Sequence, residues 1–373
     1  MRVILTGGGT GGHIYPALAI GDRFREADPD CEILYIGYHK GMETEIVPRY
    51  GYPLKTVRAK GVDRSNILKM ADTLWTTEYG KAQAYRIMKK FRPDVIVSTG
   101  GFVSVPVVLA GQKFGAKIFI HEQNAYPGMA NKFLAKYAEK VFLGFKEARR
   151  YFRTDPAKLV YSGNPTRREF RGRDRAEARA ALGIPEDHFV IAVFGGSLGA
   201  ATLNEVGCAL LEEYRDSDST TLIFGTGRNY YDDVAQRLEA IGLAEHPNLR
   251  ISPYIQDMAD VLAAANVVIS RSGALSVSEI TMSGRPGIFI PSPNVTGDHQ
   301  YYNAKSVVDQ GGGIIVREDA ETAVRVSNIL KELMSEPDLV RSMEEGSFRA
   351  APVDATEIIY EGIMECCEGK RKS

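Results

Sequence analysis

The feature that most constrains the fold is a unit that occurs twice: an apolar strand, a glycine-rich turn and a helix. In the first half, a strand at Arg2–Thr6 leads into GGGTGGH at residues 7–13 and a helix over residues 14–25. In the second half, a strand at Phe189–Phe194 leads into GGSLGA at residues 195–200 and a helix reaching residue 211. Because strands and helices alternate in both halves, the pattern predicts an α/β protein with two doubly wound, Rossmann-like domains.

Short β-branched and apolar runs predict the other strands of the two sheets. They lie at residues 33–36, 94–98, 116–120, 139–143, 158–162, 220–224, 249–252, 267–270 and 287–290. Gly163-Asn164-Pro165 breaks the pattern, so we predict domains at residues 1–163 and 164–345. Helices are expected from residue 104 and at residues 321–335, 338–347 and 355–367. We expect the last helix, about residues 350–368, to pack back on the first domain.

The totals exclude several classes of protein. A chain of 373 residues has room for two cores, and a net charge of −1 gives no general attraction to nucleic acid. The four cysteines have no metal-binding spacing, and Cys366 and Cys367 are neighbours, so we expect reduced thiols. The strand at the N-terminus leaves no room for a signal peptide, and no apolar run is long enough to span a membrane. We therefore expect a soluble protein or one on a membrane surface.

The first glycine-rich turn fits neither common nucleotide-binding motif. Gly7, Gly9 and Gly12 have the dinucleotide spacing, but no acidic residue follows the next strand to hold a ribose. A phosphate-binding loop would need Lys and then Ser or Thr after Gly12, where this chain has His13 and Ile14. His13, at the junction of loop and helix, is a candidate general base. The alternative is a capping or solvated histidine.

A second candidate site lies at residues 270–303. A strand is followed by the turn at residues 271–273 and by a helix that begins at Ala274 and carries Glu279 in its first two turns. The backbone N–H groups at such a helix start bind anions, whereas a nearby carboxylate suits a neutral polyol such as ribose. The stretch therefore indicates a nucleotide-sugar site. The alternative is an ordinary strand, turn and helix with a solvated Glu279.

Residues 57–93 form a basic stretch that also contains apolar residues. The stretch contains nine Lys or Arg and three Asp or Glu. Leu74 and Trp75, the only tryptophan, lie among them. This composition is typical of a surface that docks on anionic lipid. It is equally consistent with a surface helix whose apolar stripe faces the core.

A polar cluster, HEQN at residues 121–124, follows the strand predicted at residues 116–120. The carboxyl ends of strands are where open α/β sheets bind ligands, so this cluster belongs to a predicted binding site. No second histidine stands at the spacing of a zinc protease, so we predict no metal site here.

Together these motifs resemble the bacterial UDP-N-acetylglucosamine transferases of peptidoglycan synthesis, in glycosyltransferase family 28. The resemblance runs along nearly the whole chain. It rests on GGGTGGHIYP at residues 7–16, GGFVS at 100–104, HEQN at 121–124 with Gly128, Asn131 and Lys132, GNP at 163–165, GGS at 195–197, RSGA at 271–274 with Glu279, and DHQ at 298–300 with Asn303.

The resemblance implies a GT-B fold, in which the two domains face each other across a cleft. It implies inverting transfer of N-acetylglucosamine from UDP-GlcNAc to the C4 hydroxyl of the muramyl sugar of lipid I, giving lipid II. No cofactor or protein-bound metal is expected. The implied partners are UDP-GlcNAc, lipid I, an anionic membrane surface and other cell-wall synthesis proteins, with no nucleic acid. The implied location is the cytoplasmic face of the plasma membrane, where the protein is peripheral.

The resemblance also assigns roles to individual residues. His13 is the candidate base, and the acceptor diphosphate is assigned to Gly9, Thr10, Gly100 and Gly101. Glu279 is assigned to the ribose, the backbone of Ile255 and the side chain of Arg167 to uracil, and Ser197 to the diphosphate. The remaining donor-site residues are Thr10, Gly11, Gly12, Asn124, Ala274, Gln300 and Asn303. His299 stands where some relatives carry Gln, and either Arg167 or Arg168 faces the uracil.

Three other functions are consistent with parts of the pattern. One is a GT-B transferase with a different glycolipid acceptor. Another is a GT-B epimerase acting on UDP-GlcNAc, which gives no reason for the basic, apolar stretch. The third is a non-catalytic binding protein, which His13, Asn124, Glu279 and Gln300 together argue against.

Overall fold

The computed structural model describes residues 1–61, 67–166, 168–196, 198–243, 246, 248–351 and 354–368. The chain forms two compact units: unit 1 comprises Met1–Thr166 and Val353–Ser373, and unit 2 comprises Arg167–Pro352. Among the described residues, no helix combines the length and apolar character needed to cross a membrane.

Unit 1 contains a parallel sheet of seven strands in the order β3-β2-β1-β4-β5-β6-β7. The strands are β1 (Arg2–Thr6), β2 (Glu32–Tyr38), β3 (Leu54–Val57), β4 (Val95–Ser98), β5 (Lys117–Glu122), β6 (Lys140–Leu143) and β7 (Leu159–Tyr161). The helices are α1 (Gly11–Ala27), α2 (Glu43–Arg49), α3 (Ile67–Phe91), α4 (Ser104–Phe114) and α5 (Met129–Leu134), with 3-10 helices at Ala135–Tyr137, Lys146–Tyr151 and Pro156–Lys158.

The sheet of unit 1 is covered on both faces because consecutive residues of its strands, which point to opposite faces, are apolar. Val3 and Leu5 of β1 pack with α1 and α2, while Ile4 packs with α3 and α4. All three side chains are fully buried. Burial on both faces is the reason why parallel strands are continuously apolar.

Unit 2 repeats this architecture with six parallel strands in the order β10-β9-β8-β11-β12-β13. They are β8 (Phe189–Phe194), β9 (Thr220–Gly225), β10 (Leu249–Ser252), β11 (Val267–Ser270), β12 (Gly287–Phe289) and β13 (Gly313–Ile315). The helices are α6 (Arg175–Leu182), α7 (Ala201–Glu213), α8 (Tyr231–Ala240), α9 (Met258–Ala264), α10 (Ala274–Met282), α11 (His299–Val308), α12 (Thr322–Ser335) and α13 (Pro337–Ala350), with 3-10 helices at Arg168–Phe170 and Thr296–Asp298.

The last helix, α14 (Ala355–Glu368), packs on α1 of unit 1. Ile359 and Ile363 are fully buried in the same core as β1. At the edge of this contact, Arg23 of α1 forms a bidentate ion pair with Glu357, with Nε to Oε2 at 2.7 Å and Nη2 to Oε1 at 2.9 Å. The chain therefore returns to unit 1 after completing unit 2.

The two doubly wound parallel sheets predicted from the sequence are confirmed, and most strands agree to within a residue or two. The edge strands β3 and β13 and the helices α2, α5, α6, α8, α9 and α11 were not among the predicted elements. These elements are short, and edge strands are half exposed, so their apolar periodicity is weak. The helix α13 continues to Ala350, so unit 2 extends beyond the predicted end at residue 345.

The predicted start of α1 was wrong, and the difference changes the site. The helix begins at Gly11 and not at residue 14, so His13 lies inside its first turn and Pro16 lies in its second. Glycine is a poor helix former, which is why the sequence pattern placed Gly11 and Gly12 in the loop. The last two residues of the β5 strand, His121 and Glu122, were likewise assigned to the loop that follows it.

Candidate functional site

The glycine-rich turns of unit 1 meet at the point where the strand order reverses. The strands β1 and β4 are neighbours, and the chain winds outward from them in opposite directions. The amide of Gly8 donates to the carbonyl of Gly100 at 3.3 Å. Gly101 has φ +82°, and a Cβ there would collide with the carbonyl of Gly8. Such a switch point is where doubly wound sheets bind ligands, and these glycines let the two backbones approach there.

The first turn of α1 faces outward at this point. Thr10 is the N-cap residue with φ −146° and ψ 157°, and its side chain makes no capping hydrogen bond. Gly9, Thr10 and Gly12 are exposed. A helix start leaves its first N–H groups without partners in the helix, and these groups bind anions. The residues predicted for the acceptor diphosphate are thus brought together in unit 1.

The loop rests on a buried carboxyl group that the sequence interpretation missed. Glu43 is fully buried, and its Oε1 accepts from the amide of Tyr38 at 2.7 Å, while Oε2 accepts from that of Gly9 at 3.4 Å. A Cβ at Gly8, Gly37 or Gly41 would collide with this side chain. The three glycines that make room for Glu43 are the only sequence signal for it.

The hydroxyl of Tyr35 supports the same loop from below. It donates to the carbonyl of Gly7 at 2.7 Å inside the core. Burial, and then the charge of Glu43, raises the pKa of Tyr35 well above its usual range. The phenol therefore stays protonated and keeps donating to the loop.

His13 is half-buried, and its Nδ1 lies between two oxygen atoms. The carbonyl oxygen of Thr99 is 2.9 Å from Nδ1, and Oε1 of Gln123 is 3.0 Å from it. The ring carbon Cε1 lies close to Gly100, where a Cβ would be 3.3 Å away. No described residue forms a hydrogen bond with Nε2. The ring therefore stands beside the glycine turns with one nitrogen anchored.

Gln123 connects His13 to a second histidine. Its Nε2 lies 2.9 Å from Nδ1 of His121 and 3.1 Å from the carbonyl oxygen of the same residue. Nε2 of His121 donates in turn to the carbonyl of Gly163 at 3.1 Å. His121 is fully buried, and burial lowers its pKa to about 4, so the ring is neutral near pH 7.

Asn124 is held at the end of β5 by the buried carboxylate of Glu122. Oε1 of Glu122 accepts from the amide of Asn124 at 2.9 Å and from its Nδ2 at 3.2 Å. Oε2 accepts from the amide of Gly128 at 3.0 Å and from Nδ2 of Asn131 at 2.9 Å. Four donors on one carboxylate fix the turn that carries Asn124.

Unit 2 also has a glycine turn at its switch point, which lies between β8 and β11. Gly199 has φ +85°, and a Cβ there would collide with the carbonyl of Thr226, while a Cβ on the next residue, Gly227, would collide with the backbone of Gly199. Ile255 is buried against Gly225 at the end of β9. Ser197 and Arg167 lie outside the described residues, as does the side chain of Arg168.

The turn before α10 is held from behind by side chains. Nδ2 of Asn303, which is fully buried, donates to the carbonyl of Ser272 at 3.1 Å. Nη1 of Arg271 donates to the carbonyl of Ile290 at 3.0 Å and pairs with Oε2 of Glu318 at 2.5 Å. Glu318 was also missed from the sequence. Through these contacts the side chains of Asn303 and Arg271 stabilise the turn.

At the start of α10, the groups that remain for a ligand are therefore backbone N–H groups. Gly273 is the N-cap residue, and Ala274 is the first residue of the helix. Glu279 follows in the second turn and is half-buried. On α11, Oε1 of Gln300 accepts from the amide of Ser292 at 2.9 Å. The structure thus places Asn303 against the turn that begins α10, with Glu279 one turn into that helix, while Gln300 at the start of α11 contacts the loop at Ser292.

Leu74 and Trp75 lie on the surface of α3, where 65% and 75% of their respective surface areas are exposed to solvent. Met70, one turn earlier, is also exposed. Leu74 and Trp75 therefore do not face the core, whereas Ala84 and Met88 of the same helix are buried in it. Among the described residues, no group of three or more His, Cys, Asp or Glu is placed to hold a metal ion.

Comparison with known proteins identifies the family. The model of the glycosyltransferase family 28 N-terminal domain matches residues 3–143, and that of the C-terminal domain matches residues 190–357. A curated relative from Acetivibrio thermocellus is 37% identical, over 99% of this chain and 99% of its own. The chain belongs to glycosyltransferase family 28. A relative from Caldicellulosiruptor saccharolyticus is 38% identical, over 96% of each chain.

Both family 28 relatives carry the name UDP-N-acetylglucosamine–N-acetylmuramyl-(pentapeptide) pyrophosphoryl-undecaprenol N-acetylglucosamine transferase. Among solved structures, MurG of Acinetobacter baumannii matches with a TM-score of 0.77 and 26% identity, over 98% of this chain and 99% of that one. The UDP-GlcNAc 2-epimerase of Neisseria meningitidis has a TM-score of 0.68 but only 11% identity, over 98% and 100%. The epimerase shares the GT-B fold alone.

Proposed function

We propose that this protein transfers N-acetylglucosamine from UDP-GlcNAc to the C4 hydroxyl of the muramyl sugar of undecaprenyl-diphospho-N-acetylmuramoyl-pentapeptide, lipid I. The products are lipid II and UDP, and the anomeric centre is inverted. The observation that carries the proposal is the position of His13. It lies in the first turn of α1, beside Gly100, where the glycine turns of the switch point meet. A base and an anion site are thus adjacent, as an acceptor with a hydroxyl and a diphosphate requires.

In this mechanism the residues of unit 1 hold and activate the acceptor. The N–H groups at the start of α1, with Gly9, Thr10, Gly100 and Gly101, bind the acceptor diphosphate. His13 removes the proton from the C4 hydroxyl as the oxygen attacks the anomeric carbon. General base catalysis of this kind is worth roughly 10²–10⁴ in rate.

The residues of unit 2 hold the donor and stabilise the leaving group. As the bond from the anomeric carbon to the diphosphate oxygen breaks, that oxygen keeps the electron pair. Negative charge then builds on UDP and is met by the N–H groups at the start of α10 and by the 195–199 turn with Ser197. One well-placed donor is worth about 2.7–4 kcal/mol in such a transition state.

The remaining donor contacts follow the family resemblance. Glu279 accepts hydrogen bonds from the ribose hydroxyls, and the backbone of Ile255 and the side chain of Arg167 bind uracil. Gln300 and Asn124 bind the sugar, and Gly11 and Gly12 lie beside it. Ala274 presents its backbone, and Asn303 acts through the turn that it supports. No metal ion takes part in this scheme.

We further propose that the protein works at the cytoplasmic face of the plasma membrane, docked through α3. Met70, Leu74 and Trp75 are exposed on this basic helix, and apolar side chains among basic ones suit anionic lipid. To test this, binding to anionic vesicles is measured by sedimentation for Leu74→Ser with Trp75→Ser. Val324→Ser, which changes an exposed apolar residue of unit 2, is the control. Binding should fall only in the α3 variant, and undiminished binding there would move the docking surface elsewhere.

The reaction is tested with radiolabelled UDP-GlcNAc and a short-chain lipid I analogue, in the presence of EDTA. The wild type should form labelled lipid product, and His13→Ala should lower kcat by about 10²–10⁴-fold. His246→Ala, in unit 2, is the control and should transfer normally. If the wild type binds UDP-GlcNAc but forms no product, lipid I is not the acceptor. Activity that EDTA abolishes would contradict the metal-free mechanism.

A further inference from the structure

Three backbone carbonyl groups determine where the protons lie in the network around His13. The carbonyl of Gly163 can only accept, so the His121 Nε2 that faces it at 3.1 Å carries a proton. Because the His121 ring is neutral, its Nδ1 is then an acceptor. Gln123 Nε2 faces this nitrogen at 2.9 Å and the His121 carbonyl at 3.1 Å. Both partners are acceptors, which fixes the Gln123 amide with its nitrogen on this side.

The orientation of Gln123 decides the tautomer of His13. Its Oε1 lies on the other side of the amide, 3.0 Å from His13 Nδ1, and the carbonyl oxygen of Thr99 is 2.9 Å from the same nitrogen. Neither oxygen can donate a proton, so the neutral imidazole carries its proton on Nδ1 and its lone pair on Nε2. One arrangement of protons therefore satisfies every hydrogen bond in this network.

We propose that Gln123 and His121 are positioning residues that hold His13 in the Nδ1–H tautomer, so that Nε2 is the atom that accepts the proton. This inference rests on the proposed function of His13 as the base. In the reaction, the C4 hydroxyl oxygen forms the bond to the anomeric carbon, and its proton moves to Nε2. The bond to UDP breaks, and the leaving oxygen takes the electron pair.

The same contacts stabilise the product of proton transfer. Once Nε2 is protonated the ring is a cation, and the hydrogen bonds from Nδ1 to Gln123 and Thr99 become charge-assisted. Gln123 and His121 are 1% and 0% exposed, so water does not compete for these bonds. Because the Gln123 amide is neutral, it orients the imidazole without adding a negative charge that would trap the proton.

The tautomer can be measured without any substrate. Nitrogen NMR of the protein labelled with ¹⁵N-histidine distinguishes protonated from unprotonated ring nitrogens, and His13→Gln and His121→Asn assign the signals. We expect His13 with Nδ1 protonated and His121 with Nε2 protonated. A wild-type His13 signal with the proton on Nε2 overturns the inference. Because no transfer is involved, this result is independent of whether the acceptor is lipid I.

The kinetic test separates positioning from general stability. Gln123→Leu and His121→Leu should each lower kcat about tenfold, which is about 1.4 kcal/mol, with the KM for UDP-GlcNAc within twofold of wild type. His121→Asn restores an amide oxygen that can accept from Gln123, and should recover most of the loss.

The control is His188→Leu, which replaces a buried histidine in unit 2 whose Nδ1 contacts the Thr221 hydroxyl at 2.9 Å. It should leave kcat unchanged. Wild-type kcat in Gln123→Leu would overturn the inference, as would equal loss in His121→Leu and His121→Asn with an unchanged His13 tautomer. If a variant fails to fold, the NMR measurement on the wild type still decides.

Discussion

The two units place glycine turns at the same position of the same kind of sheet, yet they support them differently. Under the turns of unit 1 lies a set of buried polar side chains: Glu43, His121, Glu122 and Gln123. Under the turn that precedes α10 in unit 2, Asn303 is buried, but the charged pair of Arg271 and Glu318 keeps 14% and 24% of its side-chain surface exposed.

The roles proposed for the two units account for the difference. A base must present one particular nitrogen, so the proton positions around it have to be fixed by directional hydrogen bonds away from water. A diphosphate is bound by backbone N–H groups, whose direction is set by the helix itself. Unit 1 should therefore be more sensitive than unit 2 to changes in its supporting residues.

The largest expected effect is that of Glu43→Ala. It removes the acceptor of two backbone amides and leaves a cavity beneath the loop, so the free energy of unfolding should fall by about 4 kcal/mol. Chemical denaturation measures this value. Glu43→Gln keeps one acceptor and should lose about half as much. Glu45→Ala, which changes an exposed residue of the same helix, should lose less than about 1 kcal/mol. Equal stability of Glu43→Ala and Glu45→Ala would refute the supporting role.

The next effect is the acid sensitivity of unit 1. The pKa of His121 is lowered to about 4 by burial, so the unfolded chain takes up its proton first as the pH falls. The contribution of His121 is complete above about pH 6.5 and is lost as the pH falls toward 4, at a cost of about 3 kcal/mol. Unfolding free energies between pH 7 and 4 should therefore decline less in His121→Asn than in the wild type. Parallel declines would show that His121 is not held neutral.

A smaller effect is expected from the donor side. In the proposed donor site, Glu279→Ala removes charge-assisted hydrogen bonds to the ribose, worth about 2 kcal/mol, and should raise the KM for UDP-GlcNAc about 30-fold. Glu345→Ala, an exposed glutamate on α13, is the matched control. An unchanged KM in Glu279→Ala would show that the ribose is bound elsewhere.

The smallest effect should come from the support of unit 2. Glu318→Ala frees Arg271 and the hydroxyl of Thr202, which donates to Oε1 of Glu318 at 2.6 Å. Because this pair is partly exposed, we expect the free energy of UDP-GlcNAc binding to weaken by about 1 kcal/mol. This is measured as a roughly fivefold higher KM for UDP-GlcNAc. A loss as large as that of Glu43→Ala would remove the contrast between the units.

Much of the site could be predicted from the sequence because glycine turns after apolar strands are local patterns. The turns containing Gly9, Gly100 and Ala274 were located in this way. Asn303 was predicted as a donor-site residue from its motif, but its contact with Ser272 spans 31 positions of the chain and has no local signal. The same holds for Gln123, whose contact with His13 spans 110 positions.

The sequence by itself determined the two alternating α/β halves, the glycine turns and the family, because apolar periodicity and motif order are written along the chain. Only the tertiary structure decided which turns meet, since that depends on the strand order β1-β4 and β8-β11. It also decided which nitrogen of His13 is anchored and which carboxyl group lies under the loop. These are contacts between residues far apart in sequence, and hydrogen bonds acquire their direction only when the backbone has brought both partners to the same place.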